Sequence, residues 1–338
     1  MDNKQTQKFK RIGWIDVSRG IAFLMVIYSH LNYCDSNIMR FFSPIFLTTF
    51  FLISGYLFKE KQSFLFVLEN RTRTLLLPFI ILGMIMIILS QILSFNEHVS
   101  FTESIKGLIL QNGHNQILWF IAALYIYSII FYWVEFCFSS INKLLIVGII
   151  LFVLNAILKY WFMLPSIPWH IDVAAFACFY MALGKFYKHY ENKIDKIISN
   201  KVLVILLVIY VLTIWYFDLN FSFSGSRYII DSLIITIIGL TLCIYISKRF
   251  LQNNKFLLFV GSNTLFYFAF HGKVYSLLQT ITSKVLPTYI IGQNHLSDFG
   301  IAICIVLLDA IILIIPMMIV NKYFPQILGK GFKLWKAK

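Results

Sequence analysis

Three ionisable residues stand in the first long apolar stretch of the chain, IDVSRGIAFLMVIYSH from Ile15 to His30: Asp16, Arg19 and His30. Ionisable groups at membrane depth are costly and mark functional sites by default. On a helix, the eleven residues from Arg19 to His30 make about 1100° of rotation, three turns plus roughly 20°, and a rise of about 16 Å. Both therefore lie on one face. Asp16, three residues before Arg19, falls near that face and can pair with it. One stripe thus carries a carboxylate–guanidinium pair near its start and an imidazole far along it. A guanidinium forks onto phosphate oxygens, and an imidazole moves protons near neutral pH. A structural ion pair plus a histidine bonded to a neighbouring helix is the plain alternative. The alignment of all three on one stripe argues for a site facing the bundle interior or a water-filled cavity.

The rest of the chain must position that stripe. Hydrophobic residues make up 59% of the 338 and charged residues 13%, which excludes an ordinary soluble domain. Apolar runs of about 20 residues recur throughout, so the expected fold is an all-α, polytopic membrane helix bundle forming a single domain over 1–338. About ten spans are predicted, near 12–33, 41–58, 74–95, 117–138, 143–163, 170–188, 201–217, 228–247, 256–278 and 298–320. Most of the 29 Lys and Arg residues fall in alternate connections if both termini are cytoplasmic, the side that basic loops favour. That topology explains the net charge of +14 without nucleic acid as a partner. The polar N-terminus leads into a run too long, and too interrupted by Asp16 and Arg19, for a cleaved signal peptide, so it reads as a retained span. The five cysteines, Cys34, Cys137, Cys178, Cys243 and Cys304, form no CxxC pair and read as core residues. No metal site is expected.

Further motifs follow in order along the chain. Asp16, Arg19-Gly20-Ile21-Ala22 and His30 resemble the first-span signature of the membrane-bound acyltransferase 3 family, an Arg, ten residues and a His, with an Asp before them. Phe51-Leu52-Ile53-Ser54-Gly55-Tyr56-Leu57 resembles that family's second-span FFxxSGxL element. Arg71 and Arg73, ahead of Leu77-Pro78, resemble its cytoplasmic arginine motif, spaced RTR here where the family often has RxxR. Leu118-Trp119-Phe120 with Ala123-Leu124, and Gly261, Thr264-Leu265 and His271, resemble two later elements. The segment from Leu164-Pro165 to Phe186, with Pro168-Trp169-His170-Ile171-Asp172, is similar to the fucose 4-O-acetylase-like branch.

The resemblance implies transfer of an acyl group, most simply acetyl, from cytoplasmic acetyl-CoA to a hydroxyl of a surface polysaccharide or a lipid-linked precursor, in a bacterial cytoplasmic membrane. Arg19, Arg71 and Arg73 would meet the anionic coenzyme, His30 would serve as general base or transient acyl carrier, and Asp16 would orient Arg19. Ser54, Asn263 and Thr264 are candidates for stabilising the oxyanion. His271, His170, Asp172 and Trp119 are candidates for holding the acceptor, with Trp161 and Trp169 as further platform or interface residues. Asp172 and His170, two apart, are expected on different sides of a helix. Asp231 and Asp309 are lesser intramembrane candidates, and Glu135 is expected to be solvated. A transporter or flippase for an anionic or sugar-linked solute would also use buried His, Arg and Asp. The order of motifs on the first helix, and the lack of paired Gly/Pro-broken spans in matching halves, favour the enzyme.

Overall fold

The computed structural model describes residues 12–31, 35–60, 62–93, 100–111, 118–163, 165–217, 229–285, 295–332 and 334. These residues are helical, with no strand among them. In chain order the helices are α1 (Gly13–Ser29), α2 (Ser36–Phe42), α3 (Phe46–Tyr56), α4 (Phe64–Arg71), α5 (Leu77–Leu93), α6 (Phe101–Leu110), α7 (Trp119–Cys137), α8 (Ile141–Tyr160), α9 (Ala174–Ile197), α10 (Asn200–Phe217), α11 (Ile229–Arg249), α12 (Lys255–Ser262), α13 (Thr264–Val285), α14 (His295–Ile312) and α15 (Ile314–Tyr323). Short 3-10 turns cover Pro168–Val173 and Pro325–Leu328. Cys34 lies outside the described residues; the other four cysteines are free thiols.

The all-α membrane bundle is as expected, while the number of clear spans differs. Among the described residues, six helical stretches are long and apolar enough to cross a bilayer, and a pair bent by 104°, Pro168–Ile197 with Asn200–Tyr216, makes up to seven. The predicted ten include segments of another kind. α1 has only 17 residues and carries Asp16 and Arg19. The predicted span 256–278 is broken at Asn263 into α12 and α13. The helices that fall short carry the polar residues, because a helix buried among other helices need not be apolar on every face.

Close packing holds α1 at the centre. A Cβ on Gly261 of α12 would collide with the Asp16 carbonyl and come within 2.7 Å of the Gly20 nitrogen. A Cβ on Gly20 would come within 2.5 Å of the Leu257 carbonyl. α1 and α12 thus touch backbone to backbone, the contact that small residues permit between membrane helices. α3 and α9 repeat the device: Gly55 abuts the Met181 carbonyl and Gly184 the Leu52 carbonyl.

The end of the bundle where α1 begins is tied by charge. Lys248 of α11 donates to Glu191 at 2.6 Å and to Asp195 at 3.0 Å, both on α9, and lies 5.2 Å from the Trp14 ring. Tyr56 of α3 donates to Glu191 at 2.6 Å. Glu135, expected to be solvated, instead accepts from Lys185 at 2.7 Å with both side chains largely buried. A carboxylate left unpaired there would be costly to bury, and the α9 lysine removes that cost.

Between α4 and α5 the helix widens into a π turn, Thr72–Leu76. Pro78 has no amide hydrogen, and its ring crowds the carbonyl four residues back. The extra residue in the turn relieves that crowding, a common device at functional sites.

Candidate active site

The start and middle of the α1 stripe face inward. Asp16 is buried, Arg19 is partly buried, and their closest charged atoms are 4.0 Å apart. Phe23, on the same stripe between Arg19 and His30, is fully buried. His30 caps the C-terminus of α1 with its side chain exposed.

A cavity of about 230 Å³ opens beside Arg19. Its lining includes Arg19, Arg71, Ser54, Asn263 and Thr264, so five predicted residues from separate parts of the chain meet in one space. Lys330 joins them from the C-terminal tail. Three cations and no carboxylate line it among the described residues, a surface that favours an anion. The break at Asn263 adds to this. It starts α13 at Thr264, on the cavity wall, and the first amides of a helix attract negative charge. Asn263 itself is committed to the break. Its amide nitrogen donates to the Phe259 carbonyl at 2.8 Å, and its oxygen accepts from Asn321 at 2.9 Å.

The two motif arginines divide. Arg71 lines the cavity. Arg73 is absent from its lining and holds the tail: its guanidinium donates to the Gly329 carbonyl at 2.5 Å and to Asn70 at 3.1 Å, and faces Glu69 at 3.4 Å. Gly329 has φ +67°, and a Cβ there would strike the Arg73 carbonyl. Only glycine takes that backbone shape without strain and leaves room for the approach. The clamp brings Leu328 and Lys330 to the cavity. Lys330 is a cavity residue that the sequence reading missed, and its place between Gly329 and Gly331 was the available signal.

At the other end of the stripe the His30 and His271 rings lie 5.3 Å apart, tilted by 36°. His271 is buried, and its Nδ1 lies 3.0 Å from the Tyr267 carbonyl and 3.1 Å from that of Phe268. Carbonyls only accept, so Nδ1 carries the proton and Nε2 of neutral His271 is left as an acceptor. The proposed oxyanion residues are not near this pair. Thr264 is seven residues before His271 on one continuous helix, about 10 Å along its axis. Ser54, Asn263 and Thr264 therefore belong to the arginine end.

The segment opening the sixth predicted span is not α-helical. Trp169 and His170 have φ of 62° and 51°, inside a kinked turn before α9 starts at Ala174. Non-glycine residues seldom hold this shape, and where they do the surroundings enforce it. Here Tyr127 donates to the His170 carbonyl at 2.7 Å, and the Trp169 indole donates to the Ile109 carbonyl at 2.8 Å. Asp172 is taken up structurally, by an ion pair with Lys159 and a 2.8 Å bond from the Ile167 amide. The His170 ring lies 4.6 Å from that of Trp119, tilted by 58°, and its Nε2 has no hydrogen-bond partner among the described residues. Trp161 is exposed. Asp231 opens α11, and Asp309 is fully buried in α14 without a hydrogen-bond partner among the described residues. A separate cavity of about 460 Å³ lies beyond the end of α1, lined by Asp35, Arg40, Phe41 and Trp215 among others.

A central helix thus carries a cation-lined cavity at one end and paired imidazoles at the other, inside a multi-pass bundle. Comparison with known families supplies the class: the acyltransferase 3 family model, described as an acyltransferase domain, matches residues 12–316. The chain belongs to that family, and it is an acyltransferase that acts on hydroxyl groups. No curated protein and no solved structure matches it.

Proposed function

We propose that the protein transfers an acetyl group from cytoplasmic acetyl-CoA to a hydroxyl of a surface polysaccharide or its lipid-linked precursor, in a bacterial cytoplasmic membrane. One observation carries this reading. The cationic end of the stripe and its imidazole end are about 16 Å apart along α1, and the cavity begins at the former. A donor built for that separation keeps its phosphates far from its reactive carbon. Coenzyme A does so, with a long pantetheine arm between its phosphates and the thioester.

In this reading Arg19, Arg71 and Lys330 hold phosphate oxygens, helped by the first amides of α13. Asp16 keeps Arg19 aimed. Ser54 and Thr264 contact the arm. The thioester reaches the histidine end, where the acceptor arrives from the outer side near Trp119 and His170. As a base, His30 takes the proton of the acceptor hydroxyl; that oxygen bonds to the acyl carbon, the C–S bond breaks, and the proton returns to the departing thiolate. As a carrier, a ring nitrogen of His30 bonds to the acyl carbon, the C–S bond breaks and the thiolate takes the ring proton; the acceptor oxygen then bonds to the acyl carbon, the C–N bond breaks, and the hydroxyl proton goes to the ring. His271, through Nε2, holds the His30 ring in either route.

The test is the O-acetyl content of the surface polysaccharide, read by proton NMR in a deletion strain and in the same strain carrying the wild-type gene or His30→Ala. O-acetyl signals should vanish in the deletion and with His30→Ala while polymer yield holds. Loss of polymer itself, or acetylation that persists without His30, would turn the reading toward transport.

A further inference from the structure

The arginine end and the histidine end of the site are separated by aromatic rings. Phe50 of α3, Phe120 of α7 and Phe268 of α13 all line the cavity. Their centroids form a closed triangle, with 5.4 Å between Phe50 and Phe120, 5.5 Å between Phe50 and Phe268, and 5.3 Å between the stacked Phe120 and Phe268. All three are buried. Phe268 stands one turn of α13 past Thr264 and one turn short of His271. Behind it Phe23 lies 4.9 Å away and meets the His271 ring edge-on at 5.6 Å.

Resting on the donor assignment above, we propose that Phe50, Phe120 and Phe268 form the acyl pocket and set the length of acyl group the enzyme accepts. A donor anchored by its phosphates at Arg19 and Arg71 brings its thioester to the histidine end, one turn of α13 past Phe268, and its acyl group there lies back against these rings. Each ring comes from a different helix and packs on the other two, so room for another methylene requires displacing a ring against a packed neighbour. A two-carbon group demands the least displacement. One methylene too many or too few in an apolar pocket changes discrimination by about 10- to 200-fold, enough to make a short-chain enzyme. The pocket acts on the identity of the acyl group, whereas Arg19 and Arg71 act on the coenzyme common to all donors.

Binding of inert thioethers tests this without knowledge of the acceptor. Full-length protein in lipid nanodiscs is titrated with CoA and with its S-ethyl, S-butyl and S-hexyl thioethers. The proteins are wild type, Phe268→Leu, Phe120→Leu and Phe268→Ala, each first shown to be monodisperse. Wild type should bind the S-ethyl form at least about 10-fold more tightly than the S-butyl form. The butyl-to-ethyl affinity ratio should rise about 10-fold or more in Phe268→Ala and rise in one of the leucine variants, which keep an apolar side chain in the layer. A ratio that stays at the wild-type value in all folded variants overturns the ruler and leaves the donor assignment standing. Wild type that binds neither CoA nor any thioether overturns both.

Discussion

Arg71 and Arg73 are two residues apart in one motif, yet the π turn and the tail give them different surroundings. Arg71 opens on the cavity and Arg73 grips Gly329. Sequence spacing could not divide them, because the partner of Arg73 lies more than 250 residues away. Arg71→Gln is expected to raise the KM for acetyl-CoA by roughly 10- to 100-fold, the cost of a lost charge-assisted contact. Arg73→Gln should instead expose the tail around Gly329 to hydrogen exchange. A variant pair with the two effects interchanged would contradict the division. His30 and Arg19 were legible at once, because eleven residues is close to three full turns. The pairing of His30 with His271 was not, since nothing in the sequence says that α13 lies beside α1. If imidazole acts as a base, transfer should fall at acid pH, where the ring takes up a proton, and hold at neutral pH and above. A rate that is flat between about pH 5 and 8 would remove His30 from that role.

Among the elements, α12 and α13 depart most from what hydropathy predicts. The run from 256 to 278 is apolar enough to read as one span, yet Asn263 ends α12 by bonding back to Phe259 and begins α13 on the cavity wall. An asparagine inside an apolar run was the available signal; its bond to Asn321 could not be foreseen. The turn at Trp169 and His170 was hidden for the same reason, because its shape is imposed by Tyr127 and Ile109 from other elements. Gly261 permits the contact between α12 and α1 that fixes this end of the site. Gly261→Leu would drive its side chain into the Asp16 carbonyl. The protein should lose its monodisperse peak in detergent, or melt well below wild type, because backbone cannot yield as a flexible side chain does. A variant that melts like wild type would mean that α1 and α12 are not held this closely.

For the whole molecule, composition alone showed an all-helical membrane bundle, since lipid permits no exposed irregular backbone. The number of spans was less legible, because helices shielded by their neighbours carry polar residues that a hydropathy count penalises. What the fold adds is direction. α1 runs from a cation-lined cavity to a histidine pair, and the proposed function draws donor and acceptor to these opposite ends. Inverted membrane vesicles, which present the cytoplasmic face outward, test this directly. Labelled acetyl-CoA is added outside, and label in the polysaccharide or its lipid-linked precursor is measured for wild type and His30→Ala. The account predicts label transfer by wild-type vesicles, and none above background with His30→Ala although the variant still binds acetyl-CoA. Transfer by His30→Ala at the wild-type rate, or wild-type transfer only when the donor is sealed inside, would contradict it.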